Sequence, residues 1–114
     1  MNQPRLAVIV LISGSGTNLQ AIIDRANDDL PIEIRAVISN QPGVAGLQRA
    51  ADAGIETRVL DHKTYPDRES YDRALVELID SFQPGLVVLA GFMRILTPHF
   101  VRHYAGRLFN IHPS

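Results

Sequence analysis

Two polar residues near the end of the sequence, Asn110 and His112, have a spacing that lets them act on one ligand. They lie at the end of the last predicted strand, and residues i and i+2 of a strand point to the same face. An amide N–H can stabilise a developing oxyanion, and an imidazole can carry a proton near neutral pH. Together they suit acyl transfer to an amine. The alternative is that both only satisfy backbone groups at the end of a strand.

A glycine-rich segment, Ser-Gly-Ser-Gly-Thr-Asn at residues 13–18, follows the first apolar run. Glycines permit close approach of a ligand, and free amides at a helix start favour an anion. The segment predicts a phosphate site, to which Thr17 and Asn18 add side-chain donors. The alternative is a tight strand-to-helix turn in which Thr17 or Asn18 caps the helix. A dinucleotide-binding loop is disfavoured, because Leu19 stands where a third glycine is needed and no acidic residue ends the second strand.

Three further features could contribute to a site. The apolar loop at residues 91–96 follows the fourth predicted strand and could sandwich a flat heterocycle, or it could be a buried connection. Arg68 stands at the start of a predicted helix, where it is usually solvated but could reach an anion. His99 and His103 have the i, i+4 spacing of metal ligands. Because the glutamate of a zinc hydrolase and a third ligand are missing, we expect an exposed helix face and no metal.

Runs of apolar residues predict the strands that position these groups, at residues 5–13, 32–39, 57–60, 86–90 and 107–111. Their nearly continuous apolar character is typical of strands covered on both faces. Strand–helix repetition with short connections predicts an α/β fold, a Rossmann-like parallel sheet with helices on both faces. Ligands bind such sheets at the carboxyl ends of the strands, where the glycine loop and Asn110 are both expected.

Four helices are predicted between the strands. The first starts near Asn18 and has apolar positions 19, 22, 23 and 26, and the second has apolar positions 44, 47 and 51 before a stop at Gly54. The third carries the longest apolar stripe, from position 71 to position 82, and begins near Asp67 or Ser70. The fourth spans residues 98–104 with Thr97 as its N-cap. A polar loop is expected at residues 61–66.

The composition is that of one soluble globular domain at residues 1–114, with 46% hydrophobic and 20% charged residues. A net charge of −1, with eleven Lys and Arg spread along the chain, argues against a nucleic-acid partner. The sequence has no cysteine, which excludes disulfides and zinc–thiolate sites and fits a cytoplasmic protein. The longest apolar run, residues 6–12, is too short to span a membrane, so we expect no membrane partner.

Three segments, in this order, resemble the phosphoribosylglycinamide formyltransferase family. They are Ile-Ser-Gly-Ser-Gly-Thr-Asn-Leu-Gln-Ala-Ile at residues 12–22, Val-Leu-Ala-Gly-Phe-Met-Arg-Ile-Leu at 88–96 and Asn-Ile-His-Pro-Ser at 110–114. The resemblance runs through the whole chain. It implies a cytoplasmic formyltransferase without a metal, acting on two small molecules. In this family a formyl group passes from 10-formyltetrahydrofolate to the amine of 5-phosphoribosylglycinamide during purine synthesis.

The resemblance also implies a role for each motif. The residues implied to hold the substrate phosphate are Gly16, Thr17, Asn18, Leu19 and Gln20. Those implied to contact the folate are Arg68, Met93, Arg94, Ile95, Leu96 and Asn110. His112 is implied to be the catalytic proton carrier, and Asn110 is implied to stabilise the tetrahedral oxyanion together with it.

Members of this family continue for about as much chain again, with an aspartate that partners the histidine. The resemblance therefore implies the N-terminal part of the catalytic domain, truncated after the fifth strand. We expect residues 1–114 by themselves to be inactive or nearly so. An unpaired strand edge could also join copies of such a piece into a homo-oligomer.

Two other formyl-folate enzymes and one non-enzymatic protein are the competing interpretations. Methionyl-tRNA formyltransferase and formyltetrahydrofolate deformylase resemble this sequence at the Asn-x-His-Pro-Ser end, but the glycine loop argues against both. A phosphate- or dinucleotide-binding module would bind its ligand tightly and would be indifferent to Asn110→Ala or His112→Ala.

Overall fold

The most apolar run of the sequence forms the central strand of a five-stranded parallel sheet. This strand, β1, spans Leu6–Ile12, and all its residues after Leu6 are buried. The other strands are β2 (Ile32–Ser39), β3 (Glu56–Val59), β4 (Leu86–Ala90) and β5 (Leu108–Ile111), in the spatial order β3-β2-β1-β4-β5. The computed structural model describes residues 4–111 of the chain.

The helices that connect the strands are α1 (Thr17–Ala26), α2 (Ala45–Asp52), α3 (Arg68–Asp80) and α4 (Pro98–His103). Alternate β1 side chains enter two separate cores, because successive residues of a strand face opposite sides of the sheet. Val8 and Val10 pack with Leu19 of α1, whereas Ile9 packs with Phe100 of α4. Among residues 4–111, no helix has the length and apolar content that a membrane crossing needs.

The strand order reverses between β1 and β4, since the chain runs outward from β1 to β3 and then returns to β4. The loops after β1 and β4 therefore leave the sheet in opposite directions and open a crevice at their carboxyl ends. This crevice is where an open α/β sheet binds its ligand. The fold thus places the glycine loop and the loop at residues 91–96 beside each other.

The predicted parallel sheet with helices on both faces is confirmed. β2 and β4 have their predicted bounds, and the other strands differ by one residue at one or both ends. Asp67 caps α3 by accepting from the Ser70 N–H, and Thr97 caps α4 by accepting from the Phe100 N–H. Gly54 follows α2 with a positive φ, as predicted for a C-terminal stop.

Three local features differ from what the sequence suggested. The N-cap of α1 is Gly16, in the left-handed conformation with φ 78°, so neither Thr17 nor Asn18 caps this helix. In α2 the buried residues are Gly46 and Ala50, whereas Ala51 is exposed, because the helix meets the glycine loop through the bare backbone of Gly46. The loop at residues 61–66 is not wholly irregular, since residues 62–64 form one turn of 3-10 helix.

Candidate functional site

A cleft of about 260 Å³ opens at the carboxyl ends of β1 and β4, where the strand order reverses. Three loops line it, one after each of the strands β1, β2 and β4. Its lining residues are Ser13, Gly14, Ser15, Gly16, Thr17, Asn18, Gln41, Ala90, Gly91 and Met93. The glycine loop and the apolar loop therefore share one cavity, as the predicted topology requires.

The start of α1 has the features of an anion site. Gly16 occupies the N-cap position, and no side chain among residues 4–111 caps the helix. The Gln20 N–H donates to the Gly16 carbonyl at 2.8 Å. Within the described chain, no backbone carbonyl accepts from the amides of residues 17–19. Unpaired amides at a helix start, together with the helix dipole, attract a negatively charged group.

The carbonyl groups of the same loop are held by α2. The Gly46 N–H donates to the Gly14 carbonyl at 3.0 Å, and Arg49 Nε donates to the Ser15 carbonyl at 2.8 Å. Gly16 and Gly46 meet backbone to backbone, since a Cβ on Gly16 would lie 2.6 Å from Gly46 Cα. The loop thus keeps its acceptors bound while the first amides of α1 stay unpaired, the arrangement that suits an anion.

Two of the five residues expected to hold a phosphate have side chains engaged elsewhere. Leu19 is fully buried in the core, and the Gln20 amide nitrogen Nε2 donates to Asp24 Oδ1 at 2.9 Å. Because the Gln20 backbone N–H already donates to Gly16, this residue has little left to offer an anion. Leu19 could take part only through its backbone N–H. Of the five residues, Thr17 and Asn18 are therefore the ones that can offer side-chain donors.

A buried hydrogen-bond chain joins the three loops at the floor of the cleft. The Met93 N–H donates to Ser13 Oγ at 2.8 Å, and the Ser13 hydroxyl donates to Asn40 Oδ1 at 2.6 Å. Ser13 is 5% exposed and Asn40 is 2% exposed. From the sequence, Ser13 was only the first residue of the glycine-rich segment and Asn40 had no role, although a polar residue directly after a buried strand at the ligand edge was a usable signal.

Asn40 is held in turn by His62. His62 Nδ1 lies 3.1 Å from the Asn40 carbonyl oxygen and 3.5 Å from Asn40 Nδ2. The shorter contact requires a proton on Nδ1, so this nitrogen is assigned as a donor to the carbonyl. The His62 backbone N–H also approaches the same carbonyl, at 3.4 Å. Asn40, the first residue after β2, is therefore held by both the side chain and the backbone of His62.

The apolar loop after β4 divides its side chains between the cleft, the solvent and the core. Met93 lines the cleft and is 77% exposed, and Ile95 is 68% exposed. Leu96 packs against the core on the α3 side of the sheet. The Arg94 guanidinium carbon lies 4.5 Å from the centroid of the Tyr71 ring in α3. The four residues expected to contact a folate thus lie in one loop, but only Met93 lines the cleft.

Two buried residues of α3 support this loop. Asp72, which is 1% exposed, accepts from the Thr97 N–H at 2.7 Å, so its carboxylate fixes the point where the loop enters α4. The Tyr71 hydroxyl donates to the Leu60 carbonyl at 2.8 Å. Burial raises the pKa of Tyr71 well above its usual value, and the nearby Arg94 opposes this only in part. The phenol therefore stays protonated and remains a donor.

The other predicted site residues are not brought into this cleft. Asn110 is exposed in β5, level with Leu89 of β4. Arg68 is exposed as the first residue of α3, and neither residue lines the cavity. His112 lies outside the described residues. The pairing of Asn110 with His112 on one ligand atom consequently stays a prediction.

The histidine pair on α4 lies on an exposed helix face. The rings of His99 and His103 are 6.2 Å apart, and His103 Nε2 lies 2.7 Å from Asp80 Oδ2 of α3. No group of three or more His, Asp or Glu side chains in residues 4–111 could hold a metal ion. The contact of His103 with Asp80 joins α4 to α3.

Residues 6–114 match the family described as Formyl transferase. Phosphoribosylglycinamide formyltransferase of Escherichia coli (strain K12) is 56% identical over 108 residues, which are 94% of this chain and 51% of the relative. Trifunctional purine biosynthetic protein adenosine-3 of Drosophila pseudoobscura pseudoobscura is 52% identical over 117 residues, which cover 100% of this chain and 9% of the relative.

A solved structure with the same fold is that of phosphoribosylglycinamide formyltransferase (purN) from Coxiella burnetii, in complex with CHES. It matches with a TM-score of 0.93 and 53% identity, covering 96% of this chain and 52% of that one. The chain spans about half the length of the Escherichia coli and Coxiella proteins. These similarities extend over nearly the whole of the present sequence.

Proposed function

This chain belongs to the formyl transferase family, and on that premise we propose that it acts in the transfer of a formyl group from 10-formyltetrahydrofolate to 5-phosphoribosylglycinamide. One observation carries the proposal. The start of α1, which we propose as the phosphate site, lines the same cleft as Met93 of the apolar loop. A phosphorylated amine and a flat formyl carrier would thereby meet in one cavity.

The proposed phosphate site uses the backbone amides of residues 17–19 and the side chains of Thr17 and Asn18. In its support, Gly14 and Ser15 have carbonyls that are already bound to α2. Because these two carbonyl oxygens already accept hydrogen bonds, neither of them is a free acceptor that would repel an anion. Gly16, with its positive φ, begins the helix without a side chain above the amides. Bound in this way, the substrate is held by its phosphate, and its amine is left free to react.

The proposed folate site uses the loop at residues 91–96, with Arg68 and Asn110 as further contacts. The exposed side chains of Met93 and Ile95 offer the apolar surface that a flat ring system takes. Arg94 and Leu96 are packed on the protein interior, so we propose that they contact the folate through backbone groups. The folate supplies the formyl group, bonded to a nitrogen that becomes the leaving group.

In the proposed reaction the substrate amine forms a bond to the formyl carbon, and the bond between that carbon and the folate nitrogen breaks. The amine proton passes to the departing nitrogen. We assign Asn110 and a protonated His112 to the negative charge that develops on the formyl oxygen. The support for this assignment is the family motif at residues 110–114 and the i, i+2 spacing of the two residues along a strand.

The test is a formyl-transfer assay on the natural protein that carries this sequence, at its full length. We expect formylated ribonucleotide and tetrahydrofolate to form in equal amounts, detected by mass spectrometry and absorbance. Asn110→Ala should lower kcat by about 10²- to 10³-fold, the usual effect of removing one oxyanion donor. Full activity of Asn110→Ala and of His112→Ala would contradict the roles assigned to these two residues. A binding module would show no formyl transfer at all, and its ligand binding would be unchanged in both variants.

The same assay separates the competing formyl-folate activities. Formate release from 10-formyltetrahydrofolate without an added amine would indicate a deformylase, and formylation of methionyl-tRNA would indicate the tRNA enzyme. We expect neither. The tRNA reaction is disfavoured by a net charge of −1, because tRNA binding calls for a basic surface.

The proposal includes two small-molecule substrates, no nucleic-acid or membrane partner and a cytoplasmic location. It also includes the expectation that residues 1–114 alone are inactive or nearly so, because the relatives are about twice as long. Robust formyl transfer by that piece would refute this expectation. A homo-oligomer formed through an open strand edge remains part of the hypothesis, and light scattering on the purified protein tests it.

A further inference from the structure

The buried chain of Met93, Ser13 and Asn40 lies between the two proposed binding loops, and the reaction as described gives it no role. We propose that Ser13 and Asn40 are positioning residues that hold the loop at residues 91–96 in a fixed place relative to the start of α1. They would thereby set the distance between the amine and the formyl group. The inference rests on the proposed function in taking these two loops as the binding sites of the two substrates.

The direction of each hydrogen bond follows from the groups that it joins. Met93 offers only its backbone N–H, so Ser13 Oγ must accept from it at 2.8 Å. The single hydroxyl proton of Ser13 then points to Asn40 Oδ1 at 2.6 Å. Both bonds run in the same direction, from β4 through β1 to β2, and bonds in series polarise one another. The chain therefore defines one arrangement of the three strand ends.

The anchored loop is one that would otherwise be loosely held. The Met93 side chain is largely solvent-exposed, yet its backbone N–H is bonded to a residue that is almost fully buried. Ser13 adjoins Gly14, so the acceptor for Met93 is the first residue of the glycine loop itself. A shift of either loop would move the other through this bond.

A gain in stability does not by itself explain why a serine and an asparagine occupy these two buried positions. A buried hydrogen bond between neutral groups contributes only modest net stability, and an apolar pair of the same shape can be equally stabilising. What a hydroxyl and an amide provide in addition is direction, because each bond must lie along a defined axis. Direction is what two reactants need, since misplacement by about 1 Å can cost about 10²-fold in rate.

The test compares Ser13→Ala with Ser81→Ala in the full-length protein. Ser81, the exposed residue after α3, loses a hydroxyl bond of the same length but of local character, to the Leu78 carbonyl at 2.6 Å. We expect Ser13→Ala to lower kcat by about 10- to 100-fold while the KM for each substrate changes less than about threefold. We expect Ser81→Ala to leave both unchanged. Hydrogen exchange at the Met93 amide should accelerate only in Ser13→Ala.

Two further variants keep the test decisive. Ser13→Cys serves if Ser13→Ala does not fold, since a thiol keeps a weak donor and a weak acceptor at this position. Ser13→Cys should also lower kcat, but by a smaller factor than Ser13→Ala. Asn40→Ala leaves Ser13 free to accept from Met93, so the double variant with Ser13→Ala should be no slower than Ser13→Ala alone.

The outcomes separate this inference from the proposed function. Unchanged exchange at Met93 in Ser13→Ala overturns the inference, as does faster exchange with an unchanged kcat. A rise in KM with kcat unaltered overturns it too, because the pair would then serve binding and not alignment. If the unmodified protein transfers no formyl group, the proposed function fails, and exchange at Met93 alone decides whether the two loops are coupled.

Discussion

The two walls of the cleft are built on different principles. The wall after β1, residues 13–18, has its carbonyls bonded to α2 and its first residue bonded to Asn40. The wall after β4, residues 91–96, exposes Met93 and Ile95. Next to it in the sheet, Phe109 of β5 is 56% exposed. The wall at residues 13–18 is held by hydrogen bonds to other described residues, whereas the wall at residues 91–96 presents apolar side chains to solvent.

This difference matches the chemistry proposed for each wall. A phosphate is recognised by fixed backbone donors, so the anion site gains from being rigid before the ligand arrives. A flat ring is recognised by apolar side chains, which must be accessible, and a contiguous exposed apolar patch usually marks a binding surface. Changes in the first wall should therefore affect folding and binding together. Changes in the exposed side chains of the second should affect binding alone.

The largest change in the free energy of unfolding is expected for Gly16→Ala, which places a side chain inside the wall at residues 13–18. The new Cβ would lie 2.6 Å from Gly46 Cα, at a φ of 78°. Gly43→Ala is the matched control, because its φ is 70° and no atom of residues 4–111 would lie within 4 Å of its Cβ. Overpacking and strain should lower the free energy of unfolding by about 3 kcal/mol in Gly16→Ala and by about 1 kcal/mol in Gly43→Ala. Urea denaturation measures both, and equal losses would contradict the close approach of α1 and α2.

The second effect tests whether the exposed wall is anchored from beneath by Asp72. Asp72→Ala leaves the Thr97 N–H without its acceptor in a buried site, which should cost about 2 kcal/mol of unfolding free energy. Asp52→Ala removes an exposed bond from Gln48 within α2 and should cost about 0.3 kcal/mol. Thermal unfolding of the two variants compares them. A loss no larger in Asp72→Ala than in Asp52→Ala would show that the loop does not depend on α3.

The third effect tests whether the exposed side chains at residues 91–96 contribute to ligand binding and not to the stability of the fold. Met93→Ala should change the free energy of unfolding by less than about 0.5 kcal/mol. It should raise the KM for 10-formyltetrahydrofolate about tenfold, because burying a methionine side chain contributes about 1.5 kcal/mol. Val101→Ala, an exposed apolar residue of α4 outside the cleft, should leave that KM unchanged. Strong destabilisation by Met93→Ala would remove the contrast between the walls.

The smallest effect concerns the N-cap of α3, the helix that supports the second wall. A hydrogen bond from the Ser70 backbone N–H lowers the pKa of Asp67 below its usual range. A carboxylate with a lowered folded-state pKa stabilises the fold above its unfolded pKa of about 4, and this contribution is lost as the pH falls through the folded value. Asp67→Asn should therefore be slightly less stable than the unmodified protein at pH 7, and the gap should close on acidification. Melting temperatures between pH 2.5 and pH 7 test this, and a gap independent of pH would rule it out.

The sequence by itself determined the parallel sheet, its strand bounds to within one residue, and the position of the glycine loop at the carboxyl edge. These features follow from local patterns, because an apolar run and a strand-to-helix turn are defined by neighbouring residues. The motifs also identified the family. The pairing of Asn110 with His112, and the folate contacts of Arg68, are still predictions from sequence.

Only the tertiary structure decided how the loops are joined. Ser13 meets Met93 across 80 residues of sequence and Asn40 across 27, and no local pattern specifies partners at such distances. The same holds for Gly46, whose missing side chain matters only because Gly16 lies against it. It also holds for Arg94, which stacks on Tyr71 and not over the cleft. The sequence tells which residues can bind or bond, whereas the packing of distant segments decides which of them do.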